Sequence, residues 1–195
     1  MTRILIVDSN GPGLPALGPG FAAVLQELSG SITCSLCAPY LGQALPDEVF
    51  DGVVFTGSAV AWCVDAPEGQ ALRDIWRQVT RWQVPIWGSC NGMQLAAFML
   101  GGICAASPRG DEEGLAEAIT LTDIGREHPM MQGRAGQFRA PCVHRDEVQR
   151  LPNGALLLAG NAHSPVQAFT YETADISFWG TQYHPEFSRA DVATW

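Results

Sequence analysis

The pattern of hydrophobic and polar residues in the first hundred positions predicts strands that alternate with helices. Residues 4–7 form a continuous apolar run that ends at Asp8 and leads into a loop rich in glycine and proline, as buried parallel strands commonly do. An apolar segment from Phe21 to Leu28 ends before Gly30, which predicts a helix. Strands are also predicted at residues 31–36, 52–56 and 84–87, and a second helix at residues 91–100, closed by Gly101 and Gly102.

A further helix is predicted after Asp65. Asp65 precedes Glu68 by three positions, the spacing of a capping box in which Asp65 is the N-cap, and Pro67 falls within the first turn. Apolar residues then recur at intervals of three and four, which places them on one face: Leu72, Ile75, Trp76, Val79 and Trp82. We expect this face to cover a sheet.

The second half of the chain has a different pattern. Between residues 103 and 161, short apolar runs are separated by proline, glycine and charged pairs, which is typical of β-hairpins and loops. Strands are predicted at residues 155–159, 165–170 and 177–183. We expect residues 1–195 to form one domain, a parallel sheet with helices on both faces and antiparallel strands added to it. Ligands then belong at the carboxyl ends of the parallel strands.

Composition narrows the classes of function. The 195 residues are 47% hydrophobic, which is enough for a buried core, and the net charge is −9 with no basic run. This charge disfavours nucleic acid and anionic membranes as partners. All eleven basic residues are arginines, so mechanisms that need a lysine are excluded, including P-loops and pyridoxal Schiff bases.

The sequence indicates neither secretion nor membrane insertion. Residues 4–7 are too short for the core of a signal peptide, and the weakly polar run 95–106 is shorter than the roughly 18 residues of a membrane span. Six scattered cysteines are too few for a disulfide scaffold, so we expect a cytoplasmic protein with free thiols. Cys34 and Cys37 form a lone CxxC pair that we interpret as structural, and no metal or cofactor is expected.

The candidate nucleophile is Cys90. It lies between Gly88 and Gly92 at the junction of a predicted strand and a predicted helix, where glycines allow a sharp turn that lifts the side chain above the sheet. We expect a strained, positive φ at such an elbow. The N-terminus of the following helix would favour the thiolate and offer N–H groups to an oxyanion. A buried cysteine in an ordinary turn is the alternative interpretation.

His184 is the candidate base among four histidines. It follows a predicted strand and precedes Pro185, which makes the chain turn there. Glu186 is close enough in sequence to hold one tautomer of the imidazole, the role of the third member of a catalytic triad. His-Pro-Glu by itself is also typical of a surface turn. The catalytic interpretation of this motif therefore depends on the cysteine elbow in the same chain.

Together these motifs resemble the class I, or triad, glutamine amidotransferases. The resemblance rests on Gly-Ser-Cys-Asn-Gly-Met-Gln at residues 88–94 and Gln-Tyr-His-Pro-Glu at residues 182–186. Residues 54–59 are similar to the family's oxyanion loop, residues 144–148 to its H-x-D-x-V segment, and residues 163–169 to the GMP-synthase-like branch. The fold expected is α/β: a flavodoxin-like three-layer sandwich with a mostly parallel central sheet, helices on both faces and a small antiparallel extension.

The resemblance also implies roles for individual residues. Cys90 would attack the γ-amide carbon of glutamine, His184 would transfer the proton and Glu186 would orient His184. The N–H groups of Ser58 and Asn91 would hold the oxyanion. The glutamine pocket would be lined by Gly57, Gln94, His144 and Asp146.

Two features depart from the family pattern. The oxyanion loop has Gly57, Ser58 and Ala59 where many relatives have Gly-Gly-Pro, so Ser58 must present its N–H without the freedom of glycine. Only nine residues follow Glu186, so we expect the closing helix of many relatives to be absent or very short.

Three functions remain open from the sequence. No P-loop or other ATP-binding segment is recognisable, so a complete GMP synthase is not expected. The main expectation is an enzyme that hydrolyses glutamine and delivers ammonia to an acceptor or to a synthetase subunit. The alternatives are a stand-alone hydrolase of γ-glutamyl amides or peptides that uses the same triad, and a catalytically silent domain of this fold that binds or regulates a partner.

Overall fold

The computed structural model describes residues 1–188, and residues 189–195 lie outside the described part. The strands are β1 (Thr2–Val7), β2 (Ile32–Cys37), β3 (Gly52–Phe55), β4 (Ile86–Ser89), β5 (Ile103–Ala106), β6 (Glu112–Leu121), β7 (Gln137–His144), β8 (Asp146–Arg150), β9 (Leu156–Gly160), β10 (Ala168–Glu172) and β11 (Ser177–Thr181). The helices are α1 (Gly18–Leu28), α2 (Gln70–Val79), α3 (Asn91–Met99) and α4 (Asp123–Glu127). The expectation about the closing helix concerns the chain after Glu186, most of which lies outside the described residues.

Within residues 1–188, nine strands form one mixed sheet in the order β2-β1-β3-β4-β11-β10-β9-β6-β7. The first five strands are parallel to one another. The last four continue the sheet with antiparallel pairings, and β5 pairs with β8 in a separate ladder. This arrangement confirms the predicted α/β, flavodoxin-like fold.

The pairing of β4 with β11 brings the two predicted motifs together. The strands are parallel, with Ser89 opposite Thr181. The Cys90 N–H then donates to the Thr181 carbonyl at 2.7 Å, which carries the pairing one residue further. Because β4 leads into Cys90 and β11 leads towards His184, the two residues meet at the carboxyl edge of the parallel strands, where ligands bind in this class of fold.

Helices cover both faces of the parallel strands. On one face, Phe21 of α1 packs in a cluster with Ile6. On the other face, α2 and α3 cover a larger core in which the ring of Trp76 lies 5.5 Å from that of Phe55 and 5.8 Å from that of Phe178. These apolar layers fix the strands whose ends carry the candidate site. No helix within residues 1–188 has both the length and the apolar character needed to cross a membrane.

The start of α2 differs from the prediction. The predicted capping box at Asp65 is wrong, because α2 begins at Gln70 and its N-cap, Gly69, provides no side-chain hydrogen bond. The buried guanidinium of Arg73 instead donates to the Val64 carbonyl at 2.6 Å and so holds the turn that precedes the helix. The same guanidinium nitrogen also donates to the Ala66 carbonyl at 2.8 Å.

The predicted limits of several strands also shift, and the strand predicted at residues 84–87 runs from Ile86 to Ser89. The strand predicted at residues 165–170 begins at Ala168 and runs to Glu172, because residues 161–164 form a turn closed by the Asn161 side chain. The strand predicted at residues 177–183 ends at Thr181. The two residues that follow leave the sheet ladder and lead into the turn that carries His184.

Candidate active site

Cys90 occupies a strained turn between β4 and α3. Its φ is 47° and its ψ is −101°, so the positive φ expected from the sequence is confirmed. The flanking glycines permit this turn, since a Cβ on Gly92 would lie 2.5 Å from the Phe55 carbonyl oxygen and one on Gly88 would lie 2.6 Å from the Gly92 carbonyl carbon. Only 4% of Cys90 is exposed, and that part faces a cavity.

The imidazole of His184 is held by three neighbours. Its Nδ1 lies 2.7 Å from Oε1 of Glu186, and its ring stacks on Phe187 with centroids 4.4 Å apart. The Ser89 hydroxyl donates to the same Glu186 oxygen at 2.7 Å and lies 3.4 Å from Nδ1. Ser89 was not among the residues selected from the sequence. Its position at a strand end, directly before Cys90, is the signal that could have indicated it.

Cys90 and His184 flank the same narrow gap. A Cβ built on Gly57 would lie 3.0 Å from His184 Cε1 and 3.7 Å from Cys90 Cβ. Within the described residues, Nε2 of His184 has no nitrogen or oxygen partner. Burial lowers the pKa of His184, but hydrogen bonding to Cys90 and Glu186, together with their charges, raises the pKa to about 10.

Ser58 and Asn91 both line the cavity. Neither backbone N–H donates a hydrogen bond within residues 1–188. The Ser58 side chain fixes its own loop, because the hydroxyl donates to the Ser9 carbonyl at 2.6 Å and lies 3.2 Å from Oδ1 of Asn10. These two contacts fix the backbone of the loop at Ser58, where many relatives have glycine.

Gln94 and His144 lie in the cavity wall with most of their hydrogen bonds already made inside the protein. Gln94 Nε2 donates to the Asp146 carbonyl at 2.7 Å. His144 Nε2 lies 2.9 Å from Glu112 Oε2, while its Nδ1 is buried and has no partner among the described residues. Burial raises the pKa of Glu112, but hydrogen bonds from His144 and Asn161 outweigh that effect and lower it.

Arg145 is a cavity residue that was not selected from the sequence. Its guanidinium makes a two-point contact with Asp146, with both N···O distances 2.8 Å, and donates to the Ala61 carbonyl at 2.7 Å. Hydrogen bonding to Asp146 raises the pKa of Arg145 further above its ordinary value. Arg145 therefore joins the turn between β7 and β8 to the loop that follows β3. Its place between two predicted pocket residues was the available signal.

Three side chains with metal-ligating atoms meet beneath the cavity. The ligand atoms of Glu112, Cys142 and His144 lie within 4.8 Å of one another, and all three residues are buried. The Glu112 carboxylate also accepts hydrogen bonds from Gln167 at 2.8 Å and Asn161 at 2.7 Å. Hydrogen bonds thus account for the position of this carboxylate.

One cavity, of about 940 Å³, brings the predicted residues together. Its wall contains all nine residues selected from the sequence: Gly57, Ser58, Cys90, Asn91, Gln94, His144, Asp146, His184 and Glu186. The cavity wall therefore contains a thiol and an imidazole, together with two residues whose backbone N–H groups have no partner within residues 1–188.

The sequence of residues 62–192 matches the family model described as glutamine amidotransferase class-I. The chain belongs to this family. Membership agrees with the geometry of the cysteine elbow and the His-Pro-Glu turn, which both lie within the matched residues.

Two relatives of this class I amidotransferase differ in their named activity. One is a gamma-glutamyl-L-1-hydroxyisopropylamide hydrolase from a Pseudomonas species, 36% identical over 179 residues that make up 89% of this chain and 60% of the relative. The other is a subunit of the glutamine-hydrolyzing GMP synthase from Ignicoccus hospitalis, 31% identical over 147 residues, which are 75% of this chain and 72% of the relative. The chain therefore spans less than two thirds of the length of the hydrolase.

Solved structures show the same fold. A glutamine amidotransferase from Thermotoga maritima superposes with a TM-score of 0.78 at 20% identity and covers 100% of this chain and 80% of its own. A glutamine amidotransferase from Methylobacillus flagellatus gives a TM-score of 0.78 at 21% identity, with 100% of this chain and 74% of its own covered.

Proposed function

We propose that this chain hydrolyses the γ-amide of a γ-glutamyl compound through a thioester on Cys90. The observation that carries the proposal is the position of His184, held at Nδ1 by Glu186 and flanking one gap with Cys90. A nucleophile, a base and a residue that orients the base are the parts that covalent amide hydrolysis needs. In this proposal the described residues act as one glutaminase unit.

The reaction begins with the Cys90 thiolate and the His184 imidazolium. The thiolate attacks the carbonyl carbon of the γ-amide, and the carbonyl electron pair moves to the oxygen, where the N–H groups of Ser58 and Asn91 stabilise it. The tetrahedral intermediate collapses to a thioester as Nε2 of His184 gives its proton to the leaving nitrogen. Neutral His184 then takes a proton from water, which attacks the thioester, releases glutamate and restores the thiolate.

Glutamine is the first candidate substrate, with ammonia passed to an acceptor or to a synthetase subunit. The relative from Ignicoccus hospitalis supports this candidate, because it is a separate GMP synthase subunit of similar size whose name includes glutamine hydrolysis. We propose that Gly57, Gln94, His144 and Asp146 line the pocket for the γ-glutamyl group. The predicted cytoplasmic location would suit six cysteines that are free thiols.

A stand-alone γ-glutamyl amide hydrolase is the second candidate. The leaving amine is the only difference in chemistry, since both reactions pass through the same thioester. The Pseudomonas relative supports it by its name, and the 940 Å³ cavity supports it by its volume, near the upper end of the roughly 300–1,000 Å³ that holds drug-sized ligands.

The test is to incubate the purified chain with glutamine and with a panel of γ-glutamyl amides and to measure glutamate release. Glutamine turnover that requires an added synthetase subunit would support the first candidate. Rapid turnover of a γ-glutamyl amide by the chain alone would support the second. No turnover of any substrate, with a folded chain and a synthetase subunit present, would contradict the proposal in favour of a silent binding domain.

A further inference from the structure

Three side chains of the β6–β7 ladder meet at one place beneath the cavity. Glu112 is the direct cross-strand partner of His144, and Cys142 precedes His144 by two positions. Residues two apart on a strand face the same way, so Cys142 and His144 lie on one face of β7. Their ligating atoms and that of Glu112 all lie within 4.8 Å of one another. A zinc ion forms bonds of about 2.0–2.3 Å to such atoms, so small side-chain rotations would allow one ion to contact all three.

Gln167 is the fourth polar side chain at this place. Its Nε2 donates to Glu112 Oε2 at 2.8 Å, and its Oε1 lies 3.9 Å from Cys142 Sγ. The carboxamide is fully buried and therefore extends from the carboxylate to the thiol, with its oxygen towards the thiol. Zinc in structural sites is almost always four-coordinate, and the Gln167 oxygen supplies a fourth ligand beside the other three.

The Glu112 carboxylate is held in the way that metal-ligating carboxylates are held. Asn161 donates to its Oε1 at 2.7 Å, and hydrogen bonds of this kind orient a ligating carboxylate from outside the metal site. In the described part of the chain, its ion-pair partner is His144, which is charged only when it is protonated. The buried charge of Glu112 therefore lies beside a group that is not a permanent cation, and a bound cation would balance that charge.

The types of ligand in this cluster favour zinc over other common cations. A thiolate and an imidazole suit zinc, whereas Mg²⁺ and Ca²⁺ prefer oxygen ligands. One carboxylate and one thiolate together carry two negative charges, which a single Zn²⁺ ion balances in this buried place. His144 also forms part of the cavity wall, so the cavity gives an ion a route to the cluster.

We propose that this cluster is a zinc site with four ligands: Glu112, Cys142, His144 and Gln167. On binding, the Cys142 thiol releases its proton to solvent, and the ion takes the place of the proton between His144 Nε2 and Glu112. The imidazole then carries its proton on Nδ1, the nitrogen that has no partner within residues 1–188. No atom is oxidised or reduced in this exchange. The inference does not rest on the proposed function, because it concerns an ion and not the substrate.

The experiment titrates the full chain with Co²⁺, which reports a thiolate ligand by a charge-transfer absorption band. Cys90→Ala is the background, so that the thiol of the candidate active site does not bind the ion. We expect one Co²⁺ per chain with the thiolate band, and displacement of Co²⁺ by Zn²⁺. Adding Cys142→Ala should remove the band and weaken Zn²⁺ binding by about 100-fold or more, since loss of even an outer partner of a metal site costs about 10–100-fold. Cys104→Ala is the matched control, because Cys104 is also buried but lies outside the cluster.

Three outcomes would overturn the zinc site. They are no Co²⁺ binding by the folded Cys90→Ala chain, binding without the thiolate band, and a band that persists after Cys142→Ala. Thermal unfolding shows whether each variant is folded. If Cys142→Ala unfolds the chain, Glu112→Gln on the same background decides, because it removes one ligand charge and keeps the size of the side chain; an unchanged Zn²⁺ affinity would then overturn the site. Absence of glutamate release by the wild type would count against the proposed function and leave the zinc site standing.

Discussion

Ser89 Oγ lies 2.7 Å from Glu186 Oε1, the oxygen that also holds His184 at 2.7 Å. Ser89 is fully buried, and it is joined to Cys90 by the chain and to the His-Pro-Glu turn by this hydrogen bond. A hydrogen bond to a charged carboxylate is worth about 1.5–3 kcal/mol. Ser89 therefore restrains the carboxylate that restrains the imidazole, and we infer that it is a positioning residue.

Ser89→Ala should lower kcat by about tenfold, because the Glu186 carboxylate loses one of its two restraints on Oε1. The pH profile of kcat should also shift, since a less well held carboxylate stabilises the imidazolium less. The measurement is the pH dependence of glutamate release. Thr181→Val is the matched control, because the buried Thr181 hydroxyl has no hydrogen-bond partner within residues 1–188. Equal effects of the two variants on the pH profile would show that Ser89 contributes only to core packing and does not position Glu186.

Cys90→Ala should abolish glutamate release and leave the fold intact. Loss of a nucleophile that works as a unit with its base costs about 10⁴–10⁶ in turnover. A glutamine-derived chloroketone should add one covalent group at Cys90, located by peptide mapping with mass spectrometry. Cys34 and Cys63 are the half-buried thiols and provide the comparison. Residual activity within tenfold of the wild type, or labelling of Cys34 instead, would contradict the assignment of the nucleophile.

His184→Asn should be nearly as damaging as Cys90→Ala, whereas Glu186→Gln should be milder. An asparagine does not accept and return the proton, but a glutamine side chain still accepts a hydrogen bond from Nδ1 without stabilising the cation. Single-turnover kinetics with glutamine would give the two rates. A greater loss for Glu186→Gln than for His184→Asn would show that the two roles are wrongly assigned.

The sequence predicted the residues of the site better than the contacts between them. The spacing of Gly88 and Gly92 around Cys90 predicted the cysteine elbow. Glycine is needed at both positions, because a Cβ there would lie 2.6 Å from the Gly92 carbonyl carbon and 2.5 Å from the Phe55 carbonyl oxygen. The positive φ of Cys90 follows from the same local pattern. All nine predicted residues share one cavity. The carboxyl ends of the parallel strands bring Cys90 and His184 to one edge, whereas His144 and Asp146 reach it from the antiparallel strands β7 and β8.

Long-range contacts were not predictable from local pattern. Ser89 reaches Glu186 only because β4 pairs with β11, and no periodicity in the sequence specifies that pairing. Arg145 reaches Ala61 across 84 positions, a contact that depends on the β7–β8 turn lying against the loop after β3. The capping box at Asp65 failed for a different reason, since the nearby Arg73 side chain holds that turn through the Val64 and Ala66 carbonyls.

The free energy of unfolding should fall as the pH rises from 6.5 to 10. The pKa of His184 is raised from 6.5 to about 10 in the folded chain, so its contribution to stability is fully present below pH 6.5 and is lost as the pH rises through 10. Glu186→Gln removes one of the two groups that raise this pKa, so its stability should depend less on pH over the same range. Urea unfolding of both proteins across this range measures the difference. Parallel pH dependences would contradict a coupled His184–Glu186 pair.

Gly92→Ala should destabilise the protein, because a Cβ at this position would lie 2.5 Å from the Phe55 carbonyl oxygen and 2.7 Å from the Phe55 Cβ. Both atoms belong to a central strand, so α3 must move away from β3, and overpacking of this kind costs about 1–3 kcal/mol. Gly20→Ala is the matched control, since Gly20 lies in α1 with nothing within 4 Å of a new Cβ. Alanine in that helix should be neutral or stabilise by about 0.5–1 kcal/mol. Urea unfolding compares the free energies of unfolding of the two variants. The same movement of α3 displaces Cys90, so Gly92→Ala should also lose activity. Expressed as a free energy from the ratio of kcat/KM values, this loss of activity should exceed the loss in free energy of unfolding. Full activity in a destabilised Gly92→Ala chain would show that the close packing of α3 on β3 is not what positions the thiol.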